Sequence, residues 1–145
     1  MDTTGVTAEL MEKLRHAYGE WNRTRGTSVA TWAALLADDI EMRSVADGGP
    51  DMEFAAPRKG KVAAHGFFSA LQADWEMIHH TPEEFLVDGD RVVMFGRCAF
   101  RNRKTGKTAD TLVVNRWRFR DGLAVEYFEL FDTAKAFAAA TPDPA

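Results

Sequence analysis

The carboxylate best suited to acid–base chemistry is Glu129, which stands in the alternating segment 127–131. A strand directs every second side chain to one face, so Glu129 shares its face with Tyr127 and Phe131. If that face is internal, burial raises the pKa of the carboxyl group and suits it to proton transfer near neutral pH. In the opposite orientation, Glu126 lies inside and Glu129 pairs with an arginine on the outer face. The sequence leaves both orientations open.

Hydrogen-bond donors for an oxygen that gains negative charge form the second chemical feature. Asn115, Trp117 and Phe119 share one face of another alternating segment, and the Asn115 amide can donate without any shift of a pKa. Tyr18 and Trp21 lie on the apolar stripe of the first predicted helix, where they are interpreted as a hydroxyl donor and a pocket wall. The alternatives are a buried amide bonded to the backbone and two aromatic residues of an ordinary core.

Two adjacent histidines, His79 and His80, follow the third predicted helix, and a strand can direct only one of them inward. An inward imidazole near Glu129 would form an acid–base pair that works near pH 7, whereas a bulge would leave both rings partly in solvent. The four histidines and the single cysteine show no spacing typical of zinc or iron sites, so neither a metal nor a cofactor is predicted. Cys98 is interpreted as a small packing residue rather than a nucleophile.

The elements that position these groups follow from periodicity and turn residues. Helices are predicted over about residues 8–25, 28–37, 61–75 and 134–140, with Thr7 capping the first. Strands are predicted over residues 40–45 and 52–56, from about 77 onward, and over 91–102, 107–120 and 123–131. Asp121-Gly122 is a strong hairpin signal, and Pro82 predicts an edge or a bulge because it cannot donate to a ladder. This order predicts an α+β fold with the helices on one face of a curved sheet.

The composition describes one globular domain of 145 residues, without repeats or linkers. Its formal net charge of -4 does not favour a polyanion, so no nucleic-acid partner is expected, and the basic cluster at residues 101–107 is interpreted as a solvated turn. One cysteine excludes an internal disulfide and fits a reducing compartment. Because residues 1–7 are polar and no apolar run approaches about 20 residues, we expect a cytoplasmic protein without a leader or a membrane span.

Several short segments, in order and at suitable spacing, resemble one known family. They are the helical opening, LADD at 36–39, GKV at 60–62, VDGDRV at 87–92, WRFRDG at 117–122 and FDTA at 131–134. The chain resembles the SnoaL-like branch of the nuclear transport factor 2-like superfamily, which includes ketosteroid isomerase-like proteins. The resemblance covers about residues 8–138 and implies a single domain over 1–145. It also implies a strongly curved, mixed, mainly antiparallel sheet wrapped around N-terminal helices, which forms an apolar cone (a cystatin-like roll).

The ketosteroid isomerases provide one set of position matches for reactive groups. Their carboxylate base lies near the end of the first strand, where this sequence has Ser44. A serine hydroxyl needs a partner base before it can abstract a proton. Their oxyanion donors are a tyrosine in the first helix and a protonated aspartic acid, and these positions match Tyr18 and Asn115. The resemblance thus implies two donors without the usual base.

The limonene epoxide hydrolase-like members provide a second set of matches. The Arg and Asp that they need on one strand correspond here to Gly96 and Cys98, so that dyad is absent. A third carboxylate of that family, on the last strand, matches Glu129. Among these positions Glu129 alone keeps a carboxylate, and its face is the one expected to line the cone.

The predicted function is small-molecule binding in a hydrophobic pocket. Acid–base chemistry by Glu129, Asn115 and Tyr18 on an apolar, carbonyl-bearing substrate is one interpretation, of isomerase, cyclase, dehydratase or hydrolase type. A non-catalytic ligand-binding module and a dimerisation module are the alternatives. The expected pocket wall comprises Trp21, Met42, Ser44, Phe54, His79, Cys98, Trp117, Tyr127 and Phe131.

The outer face of the long strands carries apolar side chains that an isolated sheet would leave exposed. They are Val93, Phe95, Phe128 and Leu130, and they share that face with Arg97, Arg116 and Glu126. Such a surface favours a partner that covers it. A homodimer with two-fold symmetry, packed sheet to sheet, is therefore expected, and the resemblance implies the same arrangement.

Overall fold

The computed structural model of the protein describes residues 5–145. The prediction that the chain has no leader rests on the polar residues 1–7. Residues 1–4 of that segment lie outside the described residues. The helices are α1 (Ala8–Arg23), α2 (Val29–Ala33), α3 (Lys61–Asp74) and α4 (Thr133–Ala140). The strands are β1 (Leu36–Ser44), β2 (Arg58–Lys59), β3 (Trp75–Asp88), β4 (Arg91–Asn102), β5 (Thr108–Arg120) and β6 (Leu123–Phe131). Within residues 5–145, no helix combines the length and the apolar character needed to span a membrane.

Six strands form one curved sheet in the order β2-β1-β6-β5-β4-β3. β1 and β6 run parallel, and the other neighbouring strands run antiparallel. The apolar side of the sheet packs against the helices, and the core fills the space between them. The predicted α+β class and the mixed, mainly antiparallel, curved sheet are confirmed.

Helix α1 forms as its capping residue and apolar stripe predict. The Thr7 hydroxyl accepts a hydrogen bond from the backbone N–H of Leu10 at 3.1 Å, which satisfies one free donor of the first turn. Leu14, Tyr18 and Trp21 continue the buried stripe. This stripe faces β3, so α1 lies across the concave side of the sheet and brings Tyr18 to its interior.

Two predicted element boundaries are wrong. β1 begins at Leu36, so Asp38 and Asp39 belong to the strand and do not end a helix; a register shift between Leu36 and Glu41 accommodates them. The predicted strand at 52–56 is a 3-10 turn, and the short return strand is β2. The reason is that the consecutive residues Phe54 and Ala55 are both buried, which an alternating strand with one wet face cannot achieve.

The long meander agrees closely with its prediction, because its turns are strongly specified. In the last hairpin Asp121 has φ 51 and Gly122 has φ 80, the pair of positive angles that a two-residue hairpin turn requires. Strand β3 is an edge of the sheet, and its register shifts between Pro82 and Glu84. The edge and the irregularity expected at Pro82 are both present.

Candidate active site

A cavity of about 90 Å³ lies between the helices and the concave face of the sheet. Its wall is mainly aromatic and includes the four tryptophans of the chain, Trp21, Trp32, Trp75 and Trp117. A cavity of roughly 150 Å³ is known to hold benzene, so this one is small for an aromatic ligand. Side chains must therefore move before a larger molecule can occupy it.

The wall contains most of the side chains expected there. Those that line the cavity are Tyr18, Trp21, Met42, Phe54, Cys98, Asn115, Trp117, Tyr127, Glu129 and Phe131. The structure therefore brings Glu129, Asn115 and Tyr18 together at one space. The orientation in which Glu126 faces inward is excluded, because Glu126 pairs with Arg116 and Arg118 on the outer face.

Two expected wall residues lie elsewhere. His80, and not the expected His79, is buried and lines the cavity. A register shift between Met77 and His79 reverses the alternation of β3, so the inward set changes from odd to even residues. His79 Nδ1 instead lies 3.1 Å from the Thr81 hydroxyl. Ser44 is buried but stands behind Glu129 rather than in the wall.

Sequence reasoning missed other parts of the wall. Trp32 stacks on Trp117 at a centroid distance of 5.4 Å and an interplanar angle of 9°, and both rings face the cavity. Phe67, Phe68 and Leu71 reach it from α3. The periodicity of α2 and α3 marked these residues as buried, but it carried no signal that separates a cavity wall from solid core.

A hydrogen-bond chain of fixed direction runs through the first part of the site. The Trp117 indole can only donate, and it donates to the Tyr18 hydroxyl at 2.8 Å. That hydroxyl in turn donates to Asn115 Oδ1 at 2.7 Å. With Oδ1 accepting from Tyr18, the amide directs Nδ2 away from that hydroxyl, and Nδ2 is buried without a partner within the described chain. The direct donor role expected for Tyr18 is therefore corrected: its proton is engaged by Asn115.

Glu129 forms the second part. Its Oε2 accepts a hydrogen bond from the Tyr127 hydroxyl at 3.2 Å, and the Ser44 side chain lies near enough to the carboxyl group to lower its pKa. Its Oε1 is buried and has no partner among residues 5–145. Burial raises the pKa of Glu129 to about 7, although the Ser44 and Tyr127 side chains lower it. Both protonation states are therefore accessible near neutral pH.

The sheet register brings the two parts together. Asn115 on β5 and Glu129 on β6 are directly opposite each other, and both side chains point to the concave face. Opposite residues of an antiparallel pair have Cβ atoms about 5 Å apart. We call Asn115 Nδ2 and Glu129 Oε1 the open pair: an unpartnered donor and an unpartnered titratable oxygen on two residues that are opposite each other and both line the cavity.

Two further titratable groups in the wall are held neutral. Burial, reinforced by His79, lowers the pKa of His80 to about 4, and its ring stacks on Tyr18 at a centroid distance of 6.0 Å. Burial raises the pKa of the Cys98 thiol to about 12, which agrees with a packing residue rather than a nucleophile. In the part of the chain that the structure describes, no cluster of His, Cys, Asp and Glu could hold a metal ion.

Solved structures with the same architecture place the fold in a class. An NTF2-like protein from Burkholderia xenovorans LB400 superimposes with a TM-score of 0.75 at 21% identity, over 94% of this chain and 98% of that one. A protein with a ketosteroid isomerase-like fold from Catenulispora acidiphila, in complex with trimethylamine, gives a TM-score of 0.71 at 16% identity, over 95% and 96%. IdmH from Streptomyces antibioticus, a proposed polyketide cyclase, superimposes with a TM-score of 0.66 at 19% identity, over 90% of this chain and 97% of that one. These likenesses define an NTF2-like fold.

The sequence itself identifies the family. Residues 14–127 match the profile of the SnoaL-like domain, and the chain belongs to that family. No curated protein matches the sequence. The expected SnoaL-like, ketosteroid isomerase-like assignment is confirmed, and the chemistry must be argued from the site.

Proposed function

We propose that this protein is a small-molecule enzyme that moves a proton next to a carbonyl group of an apolar substrate. The observation that carries the proposal is the open pair. Buried polar groups in proteins are almost always hydrogen-bonded, and an unsatisfied one costs about 1–3 kcal/mol. Two such groups, adjacent and complementary to a carbonyl and its neighbouring C–H, are best explained as sites that a substrate satisfies.

The proposed reaction assigns one role to each group. The Glu129 carboxylate accepts a proton from the carbon next to the carbonyl, and the electron pair of that C–H bond moves towards the carbonyl oxygen. Asn115 Nδ2 donates a hydrogen bond to this oxygen as it gains charge. Glu129 can then return the proton at another position, which is an isomerisation. Alternatively, the carbanion equivalent attacks a second carbonyl carbon, the π bond of that carbonyl breaks, and Glu129 returns the proton to the resulting alkoxide, which is a cyclisation.

Tyr18 and Trp117 are positioning residues in this scheme. They hold the Asn115 amide with its donor towards the cavity and do not themselves contact the reacting atoms. Ser44 has a comparable role on the other side, since it is opposite Glu129 in the β1–β6 register and lowers the pKa of the carboxyl group. The carboxylate that the isomerases carry on the first strand is thus replaced, in this proposal, by one on the neighbouring strand.

The family and the neighbours support this class of chemistry. Proposed cyclases and ketosteroid isomerase-like proteins share the fold, and IdmH is one of them. A non-catalytic binding module is the second candidate, because the unpartnered Asn115 and Glu129 atoms could also hold a carbonyl compound without reaction. It predicts uptake of the same apolar carbonyl compounds with no proton exchange.

Deuterium exchange separates the two candidates without knowledge of the natural substrate. The protein in D₂O is incubated with 2-tetralone, an apolar aromatic ketone, and exchange at the carbon next to the carbonyl is followed by NMR. The carboxylate is the active form, so the catalysed rate should be low in acid and should rise to a plateau with a midpoint near pH 7. Glu129→Gln should lower this rate about 100-fold or more.

Thr111→Val is a matched control, because it changes a wall residue that has no role in the scheme. It should exchange within a few-fold of the wild-type rate. Binding of 2-tetralone without catalysed exchange would support the non-catalytic module and overturn the enzymatic proposal. Equal exchange rates for the wild type and Glu129→Gln would also overturn the enzymatic proposal.

The protein is further proposed to be a cytoplasmic homodimer. On the outer face, Phe95, Val114 and Leu130 form a row of directly paired residues across β4, β5 and β6. Phe95 and Leu130 are 39% and 38% exposed. A continuous apolar row in the middle of a sheet supports a sheet-to-sheet interface between two copies.

A further inference from the structure

A second hollow lies on the surface next to the cavity and shares part of its wall. It has a volume of about 140 Å³ and lies beside the loop between α1 and α2. Leu71, Trp75 and Phe100 line both spaces, so these three side chains form a partition between them. Phe100 is only half-buried. Movement of the partition would join the hollow to a cavity that is too small for an aromatic ligand as it stands.

The partition carries a polar group that nothing in residues 5–145 satisfies. Trp75 is 4% exposed, and its indole Nε1 is buried without a hydrogen-bond partner there. An indole N–H can only donate, and leaving it unsatisfied is unfavourable. A hydrogen-bond acceptor that passes the partition would satisfy it. This is an indication of a ligand that is independent of the open pair.

The hollow itself is rich in cations. Arg25 and Arg103 line it, together with one carboxylate, Glu76. Arg103 Nη1 is 3.7 Å from Glu76, both groups are about half exposed, and its Nε donates to the Gln72 carbonyl at 2.9 Å. Each guanidinium has five donors in a planar fork, which suits a carboxylate, sulfonate or phosphate. Two guanidinium groups against one carboxylate leave an excess of positive charge.

We infer that the hollow is the entrance and outer subsite of the cavity, and that it binds the anionic end of an elongated ligand. The apolar body of that ligand occupies the cavity with its carbonyl at the open pair. An acceptor group crosses the partition near Trp75 Nε1, and the anionic end contacts Arg25 and Arg103. The inference rests on the proposed function, because it assumes that the cavity takes up a small molecule.

Two probes of nearly equal shape test this inference. 4-Phenylbutyrate has an aromatic body and an anionic end, and 4-phenyl-1-butanol has the same body with a neutral end. Because the four tryptophans line the cavity, intrinsic fluorescence reports on its occupancy. The dissociation constants are compared for the wild type, for Arg25→Gln/Arg103→Gln, and for the control Arg101→Gln. Arg101 is a nearby exposed cation that lines neither space.

We expect the double variant to bind 4-phenylbutyrate about fivefold or more weakly, since charge-assisted hydrogen bonds are lost. It should bind 4-phenyl-1-butanol within twofold of the wild type, and Arg101→Gln should change neither constant by more than twofold. Equal changes for both probes, or no change for either, would overturn the inference and leave the proposed function standing. Failure of both probes to bind the wild type would also overturn the inference, whereas the proposed function is decided separately by binding and exchange of 2-tetralone.

Discussion

The amide of Asn115 keeps its donor free because Tyr18, held by Trp117, engages its oxygen. The indole can only donate, so the Tyr18 hydroxyl accepts from Trp117, and its own proton is donated to Asn115 Oδ1. Without the hydrogen bonds from Trp117 to Tyr18 and from Tyr18 to Asn115, the amide could turn its oxygen inward, where it would repel a carbonyl oxygen. At this scale the site is one oriented donor beside one carboxyl group whose pKa lies near 7 because it is buried.

Replacement of Tyr18 by Phe tests the orienting role. The change leaves Trp117 Nε1 and Asn115 Oδ1 without their partner, so the amide loses its fixed direction. We expect the turnover number for deuterium exchange to fall about tenfold with little change in KM, since the lost stabilisation belongs to the transition state.

A double-mutant cycle provides the control for this prediction. Asn115→Leu removes the donor altogether, so adding Tyr18→Phe to it should cause little further loss in turnover. Losses that multiply instead would show that Tyr18 acts on the reaction independently of Asn115, and would contradict an orienting role.

At the scale of elements, the meander was predictable and strand β3 was not. β4, β5 and β6 carry their own turn signals and alternation, so the sequence predicts their bounds and the two faces of each strand, whereas the fold decides that the Glu129 face is the inner one. β3 bends at two register shifts that arise from its pairing with β4. Local periodicity cannot detect such shifts, and this explains why His79 was expected in the wall where His80 stands.

The sequence also had no means of separating core from cavity. The aromatic stripe of α1 and the buried face of α3 have the composition of any helix that packs on a sheet. Which of these rings leave a space depends on their mutual packing, which is set by the whole fold. The direction of the Tyr18 hydroxyl bond likewise became clear only when Trp117 and Asn115 were brought together.

The bend of β3 has a consequence that can be measured at Gly96. It brings the Thr81 carbonyl so close to β4 that a Cβ atom on Gly96 would lie 2.3 Å from the oxygen. Gly96→Ala should therefore lower the free energy of unfolding by on the order of 3 kcal/mol, measured by urea denaturation. This contact also explains why no side chain, such as the arginine of the hydrolase-like members, stands at this position.

Gly19→Ala is the matched control for Gly96→Ala. Gly19 lies within α1, and no neighbouring atom lies within 4 Å of a Cβ added there. This substitution should raise the free energy of unfolding by up to about 1 kcal/mol, since alanine is the better helix former. A neutral or stabilising effect at Gly96 would contradict the close approach of β3.

At the scale of the whole molecule, the sheet has two faces with separate tasks. The concave face lines the cavity, and the convex face carries the row of Phe95, Val114 and Leu130 that is proposed to join two copies. Because alternate residues of the same strands serve both faces, substitutions on the convex face should affect assembly without changing the cavity wall.

Leu130→Glu tests the proposed dimer. A carboxylate at the β6 end of the row would lose its hydration on association, so the dissociation constant of the dimer should rise roughly 30-fold or more in sedimentation velocity experiments. Val62→Glu, which changes an 89% exposed residue on α3, should leave the association unchanged. A wild type that is monomeric at high concentration, or a Leu130→Glu variant that associates like the wild type, would contradict this interface.

The central claim concerns Glu129, because every step of the proposed chemistry needs its carboxyl group to change protonation near neutral pH. The direct measurement is a titration of the side-chain carboxyl carbons by ¹³C NMR, with Glu129→Gln used to assign the signal. The structure predicts one carboxyl resonance that titrates with a midpoint near pH 7, well above the ordinary range, and that is missing in the variant. A Glu129 signal that titrates near pH 4.5 would show an ordinary solvated carboxylate and would contradict the account.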